Sequence, residues 1–148
     1  MDIATLLQEI RSGKPHSKNC IEVGVLSTKI IDYLTKHNVP IHTKEIYLNH
    51  KGLSHMQRQE KKRRGAGLDD VDILAIPKIL KSPSDVFFDP NKGKLNIYYC
   101  QESKSCEKIV KVVVDTKFIY KGKRLTLIKT AGYIAHFNKP KSEELRIL

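Results

Sequence analysis

Three residues of the segment NHKGLSHMQRQEKKRRGAG, residues 49–67, carry the clearest chemical spacing in the chain. Lys51, His55 and Arg58 stand at i, i+4 and i+7, so on a helix they share one face. An imidazole ordinarily titrates at about 6.5 and moves a proton near neutral pH, while two cations beside it would hold a phosphate. The same spacing also fits a plain solvated cationic face. His50 lies roughly 140° around the helix from His55 and joins that face only if the helix begins after it. Neither histidine has the Glu placement of a His-Glu-x-x-His zinc helix, so no metal site is expected.

Two further groups bear on a polyanionic ligand. Lys61, Lys62, Arg63 and Arg64 are consecutive cations, suited to phosphate contact through counterion release, or to a basic helix end. A localisation signal is a third reading of this run. In the stretch IKTAGY, Lys129, Thr130 and Tyr133 offer an ammonium and hydroxyls at a strand end, which could orient a phosphate. Ordinary strand packing explains a Thr there equally simply. The pairs Phe87-Phe88 and Tyr98-Tyr99 could stack bases, although strand alternation sends one of each pair inward. Walker, Gly-x-Gly-x-x-Gly and Gly-x-Ser-x-Gly motifs are absent, which argues against nucleotide-driven and Ser-hydrolase chemistry.

The elements that must position these groups follow from periodicity. Ile3, Leu6, Leu7 and Ile10 mark an amphipathic helix with Asp2 as its cap and Gly13 at its end. An apolar run follows at Ile21–Val25. Ser27 can cap a second helix carrying Ile30, Ile31 and Leu34, and residues 45–48 look extended. A third helix is predicted from about Gly52 to Arg64. Val71–Leu80 is interrupted by Pro77, which predicts a kink or two short helices. From Ser84 onward the texture is that of strands: 85–88, 95–100, 109–114 and 125–129, with turns at 90–93 and 121–123. Helices followed by a strand meander indicate an α+β domain with one antiparallel sheet.

The 148 residues include 27 Lys plus Arg against 16 Asp plus Glu, a net charge of +11. Residues 41–67 alone hold seven Lys or Arg against Glu45 and Glu60. That excess favours a polyanionic partner, most often nucleic acid. One domain over 1–148 is expected, with a helical arm at 1–20 and a tail at 139–148. No apolar run approaches the roughly 18 residues of a membrane span, and the N-terminus does not read as a signal peptide. Three cysteines without Cys-x-x-Cys spacing point to a reducing, cytoplasmic setting.

The order IEVGVLS, IYLNHKGLSHMQR, DILAIPKILKSPSDVFFD and VVVDT…RLTLIKTAGY resembles phage-associated nucleases of the barnase–EndoU–colicin E5/D–RelE superfamily, over roughly residues 21–138. The resemblance implies N-terminal helices followed by a four-stranded antiparallel sheet. It also implies a metal-independent endoribonuclease, a toxin or phage effector, that uses the RNA's own 2′-OH and needs no cofactor. His55 falls on the family's Leu-x-His position, Arg58 on the basic position one turn later, and Thr130 and Tyr133 on the Thr-Ala-x-Tyr strand end. The implied roles are His55 in proton transfer, Lys51 and Arg58 on phosphate, Thr130 in positioning and Tyr133 as a stacking or second proton-transfer group. The implied flanking contacts are His50, Lys129 and residues 61–64. Two departures are Gln59, where related sequences often carry a second His, and Gly132 between Ala131 and Tyr133.

RNA, with tRNA in that class, and an acidic inhibitor or immunity protein are the partners implied; a membrane is not. Two other readings stay open on the sequence: a non-catalytic nucleic-acid-binding module on the same scaffold, and a domain whose basic face docks an acidic protein.

Overall fold

A computed structural model describes residues 2–13, 20–56, 65, 67–90, 95–135 and 147 of the protein. Helix α1 (Ile3–Arg11) opens where the Asp2 carboxylate accepts the Thr5 N–H at 2.9 Å. It buries Ile3, Leu6 and Leu7 in the main core. Its last residue, Arg11, forms a two-pronged ion pair with Asp70 at 2.5 and 2.7 Å. Strand β1 (Cys20–Val25) precedes α2 (Thr28–Lys36), capped by Ser27 and buried through Ile30 and Leu34. Strand β2 (Glu45–Asn49) runs straight into α3 (His50–Met56). The predicted break at Pro77 is two short helices, α4 (Asp70–Leu74) and α5 (Ile76–Lys81), with Pro77 in the first turn of the second, where its missing N–H costs nothing.

Four strands follow: β3 (Asp85–Phe88), β4 (Ile97–Glu102), β5 (Ile109–Tyr120) and β6 (Lys123–Ile134). They form the antiparallel meander that the texture predicts, joined at the β5–β6 tip by Lys121 and Gly122, both at positive φ as a two-residue hairpin turn demands. The sheet is nevertheless not four-stranded and antiparallel. It has six strands in the order β1-β2-β6-β5-β4-β3, and β2 lies parallel to β6 through Ile46↔Thr126 and Tyr47↔Leu127. The run at 21–25 and the extended 45–48 are the two added strands. Without them β6 would be an open edge, with unpaired N–H and C=O groups. Two fully buried threonines secure the junction: Thr126 donates its N–H to Thr43 Oγ1 and its hydroxyl to the Thr43 carbonyl, and Thr116 Oγ1 donates to the Pro40 carbonyl at 2.9 Å.

One face of the sheet carries the core. Val86, Tyr99, Val112 and Ala131 lie side by side across β3, β4, β5 and β6, all fully buried beneath the helices. On the other face Phe87, Tyr98, Val113 and Thr130 form the adjacent cross-strand row. Both Phe87 and Phe88 are buried. Phe88 joins the main core, and Phe87 a smaller cluster with Cys100 and Ile109. Tyr98 donates to Asp89 at 2.7 Å and sits under Lys111. Among the described residues no helix is long and apolar enough to cross a membrane.

Candidate active site

Helix α3 is held at both ends of its own geometry. Asn49, the last residue of β2, accepts the Gly52 N–H on Oδ1 at 2.7 Å and so satisfies one of the donors that a helix start leaves open. Leu53 and Met56 go into the core. Lys51 and His55, one turn apart, are left on the opposite side, facing β6 across a cleft of about 310 Å³. Lys129 and Thr130 line the other wall with Leu127 and Ile128, and Phe118 of β5 closes it.

Strict alternation would put Lys129 and Thr130 on opposite faces of β6. A bulge prevents that. Val113 pairs with Thr130 and Val114 with Ile128, so Lys129 is the unpaired extra residue. Bulges re-aim side chains in this way, and here one brings an exposed ammonium and a hydroxyl to the same cleft. The described lining residues include two cations, a histidine, a hydroxyl and an amide, and no carboxylate. Such a wall has the chemistry to attract a phosphodiester, to position it by donors and to move its protons through an imidazole.

The structure thus collects Lys51, His55, Lys129 and Thr130. It places His50 elsewhere: it is the first residue of α3 and does not line the cleft. Arg58, Lys61, Lys62, Arg63 and Arg64 lie outside the described residues. Tyr133 is on the core face of the sheet, opposite Thr130. Its hydroxyl donates to Asp72 Oδ2 at 2.5 Å and meets Ser105 Oγ at 3.0 Å. Sequence reasoning passed over Asn49, Gly52 and Phe118. The Asn49 spacing to Gly52 is a capping signal that could have been read; the reach of Phe118 depends on how β5 folds and had none.

A family model described as phage-Barnase-EndoU-ColicinE5/D-RelE like nuclease3 matches residues 22–139, more than half of the chain. The chain belongs to this family of phage-associated nucleases. No curated protein and no solved structure matches it. Every described residue of the cleft falls inside the matched span of the nuclease.

Behind the cleft wall, the nuclease fixes β6 with a buried carboxylate. Asp72 is 1% exposed. It accepts from Ser103, Ser105, Tyr133 and the Lys104 N–H at 2.5–3.0 Å. Burial pushes its carboxyl up, but the combined hydrogen bonds from Ser103, Tyr133, Lys104 and Ser105 outweigh this and hold it below the usual carboxylate range. Tyr133 moves the other way: burial, and then its bond to Asp72, raise its phenol. This network ties α4, the β4–β5 loop and β6 into one unit.

Gly52 sets how closely α3 approaches β6. A Cβ there would stand 3.1 Å from Asn49 Oδ1 and 3.3 Å from the Ile128 carbonyl. The first atom is the helix cap and the second is strand backbone, so neither yields freely. Gly52→Ala should gain up to about 1 kcal/mol in helix propensity while displacing α3 by a few tenths of an ångström. The expected result is a melting temperature within a few degrees of wild type and a kcat/KM roughly tenfold lower on nucleic acid, because small misplacements are costly at a reacting centre. An unaltered kcat/KM would show that the spacing of α3 and β6 does not matter to the chemistry.

Proposed function

We propose that the protein is an endoribonuclease that cleaves RNA by transesterification. The 2′-OH attacks the adjacent phosphorus, the bond to the 5′-oxygen breaks, and the products are a 2′,3′-cyclic phosphate and a 5′-hydroxyl. The observation that carries this reading is the convergence of His55 and Lys51 from α3 with Lys129 and Thr130 from β6 on one cleft of a nuclease-family chain.

The division of labour follows from the chemistry of each group. His55 takes the 2′-OH proton as the attack begins. Lys51 and Lys129 offset the negative charge that grows on the non-bridging oxygens, and an ammonium of the pair supplies the proton to the departing 5′-oxygen. The Thr130 hydroxyl donates to the phosphate and fixes its orientation. Phe118, partly exposed in the cleft wall, gives a base adjoining the scissile bond an aromatic surface to lie on. Arg58 and residues 61–64, which lie outside the described residues, supply further cations for phosphates flanking the scissile bond. A toxin or phage effector role, with an acidic inhibitor covering the cleft, fits the same basic surface.

Purified protein incubated with mixed cellular RNA in excess EDTA is expected to give fragments with cyclic phosphate ends, and to leave DNA of matched sequence intact. Linear 3′-phosphates from the outset, or equal cleavage of DNA, would exclude a 2′-OH mechanism. Tight RNA binding without cleavage, across several RNA classes, would make the protein a binding module.

A further inference from the structure

The β5–β6 hairpin extends past the rest of the sheet. β4 leaves β5 at Val114, and β2 pairs with β6 only at Thr126 and Leu127. Residues 117–125 therefore form a two-stranded arm whose strands pair with each other, bent at the register shift between Asp115 and Phe118. The arm is strongly basic. It carries Lys117, Lys121, Lys123 and Arg124, and no Asp or Glu occurs between Asp115 and Glu143. Lys117 is taken up by Asp115 at 3.1 Å. Lys121, Lys123 and Arg124 are exposed, and no carboxylate of the described residues pairs with them.

Lysines on a free ribbon can serve simply to discourage edge pairing. Here the arm is also continuous with the cleft. Phe118 reaches from it into the cleft wall, and β6 carries Arg124 and Lys129 on one strand, about 17 Å apart at ordinary strand rise. That separation suits a single-stranded polyanion whose scissile phosphate lies at Lys129 and whose flank lies along the arm. Ile119, 61% exposed near the tip, offers an apolar contact beside those cations.

We propose that the β5–β6 arm is a second RNA-contacting surface, gripping phosphates that flank the scissile bond through Lys121, Lys123 and Arg124. This rests on the endoribonuclease reading for its ligand but not for its test. The full chain and a Lys121→Gln/Lys123→Gln/Arg124→Gln variant are compared for binding a 2′-O-methyl RNA dodecamer, which has no 2′-OH to attack, over a series of salt concentrations. Three single-strand phosphate contacts correspond to a loss of about 2 from the slope of log affinity against log salt, with affinity at low salt at least tenfold weaker. On cleavable RNA, the loss in kcat/KM is expected to be at least fivefold larger for a dodecamer than for a dinucleotide.

Equal slopes and affinities would overturn the arm's role, as would a wild-type protein that does not bind the dodecamer. A variant that aggregates with its slope unchanged would assign the cations to edge protection and overturn the proposal likewise. If the triple variant does not fold, Lys123→Gln and Arg124→Gln singly are each expected to lower the slope by about 0.7. A wild type that cleaves neither substrate, with the slope falling as expected, would remove the nuclease reading and leave the arm standing.

Discussion

His55→Ala is expected to slow RNA cleavage by roughly 10²–10⁴-fold, the range that a positioned proton-transfer group contributes. The variant should keep its far-ultraviolet circular dichroism and melting temperature. His55 is half-buried on the side of α3 away from the core, where Leu53 and Met56 anchor the helix. RNA affinity should stay within about threefold, because Lys51 and Lys129 still hold phosphate. The pattern sought is a loss in kcat with little change in binding, the signature of an interaction made only in the transition state. Cleavage within about threefold of wild type would remove His55 from the chemistry and leave the cleft's lysines to account for it.

The second large effect is on stability. Asp72→Ala strips the shared acceptor from Ser103, Ser105, Tyr133 and the Lys104 N–H at a site only 1% exposed. The Tyr133 hydroxyl loses a charged acceptor in a buried site, and the more exposed Ser103, Lys104 and Ser105 donors lose the same partner with water to replace it, so a total loss of about 3 kcal/mol is expected. For a chain of this size that is roughly 6–12 °C in melting temperature. Activity measured well below the melting point should persist, since Asp72 does not line the cleft. A melting temperature within about 2 °C of wild type would show that the network is dispensable.

The same carboxylate makes a pH prediction. Its folded-state pKa lies below the unfolded value of about 3.9, so the stability it contributes is present above that pH. It is lost as pH falls through the lower, folded value. Melting temperature against pH for Asp72→Asn should therefore be flatter on the acid side than for wild type.

The chemistry-bearing half of the cleft was legible because it is local. Lys51 and His55 lie four residues apart on one helix, and helical geometry alone brings them together. The meander of β3 to β6 was equally readable, since alternation, β-branched runs and turn residues are all short-range signals. The splitting of Val71–Leu80 at Pro77 follows from a missing N–H. The six-stranded mixed sheet was not readable. β1 and β2 are separated from β6 by more than seventy residues, and a parallel pairing of two residue pairs leaves no periodic trace in either partner. Tyr133 shows the opposite error of scale. Its place three residues after Thr130 suggested a shared site, but an odd spacing on a strand puts the two on opposite faces.

What the sequence by itself determined is the set of groups available and their local order: a strongly basic α+β chain, a histidine one turn from a lysine, and a strand meander whose last strand carries Lys129 and Thr130. These are consequences of residue type and of periods of two and about 3.6. Only the tertiary structure decided that α3 faces β6, because that depends on β2 pairing with β6 and on a glycine that lets helix backbone approach strand backbone. Only it decided that Lys129 turns beside Thr130, because a bulge is defined by what a strand's partner does. Long-range pairing converts two local motifs into one cleft, and no single stretch of sequence contains it.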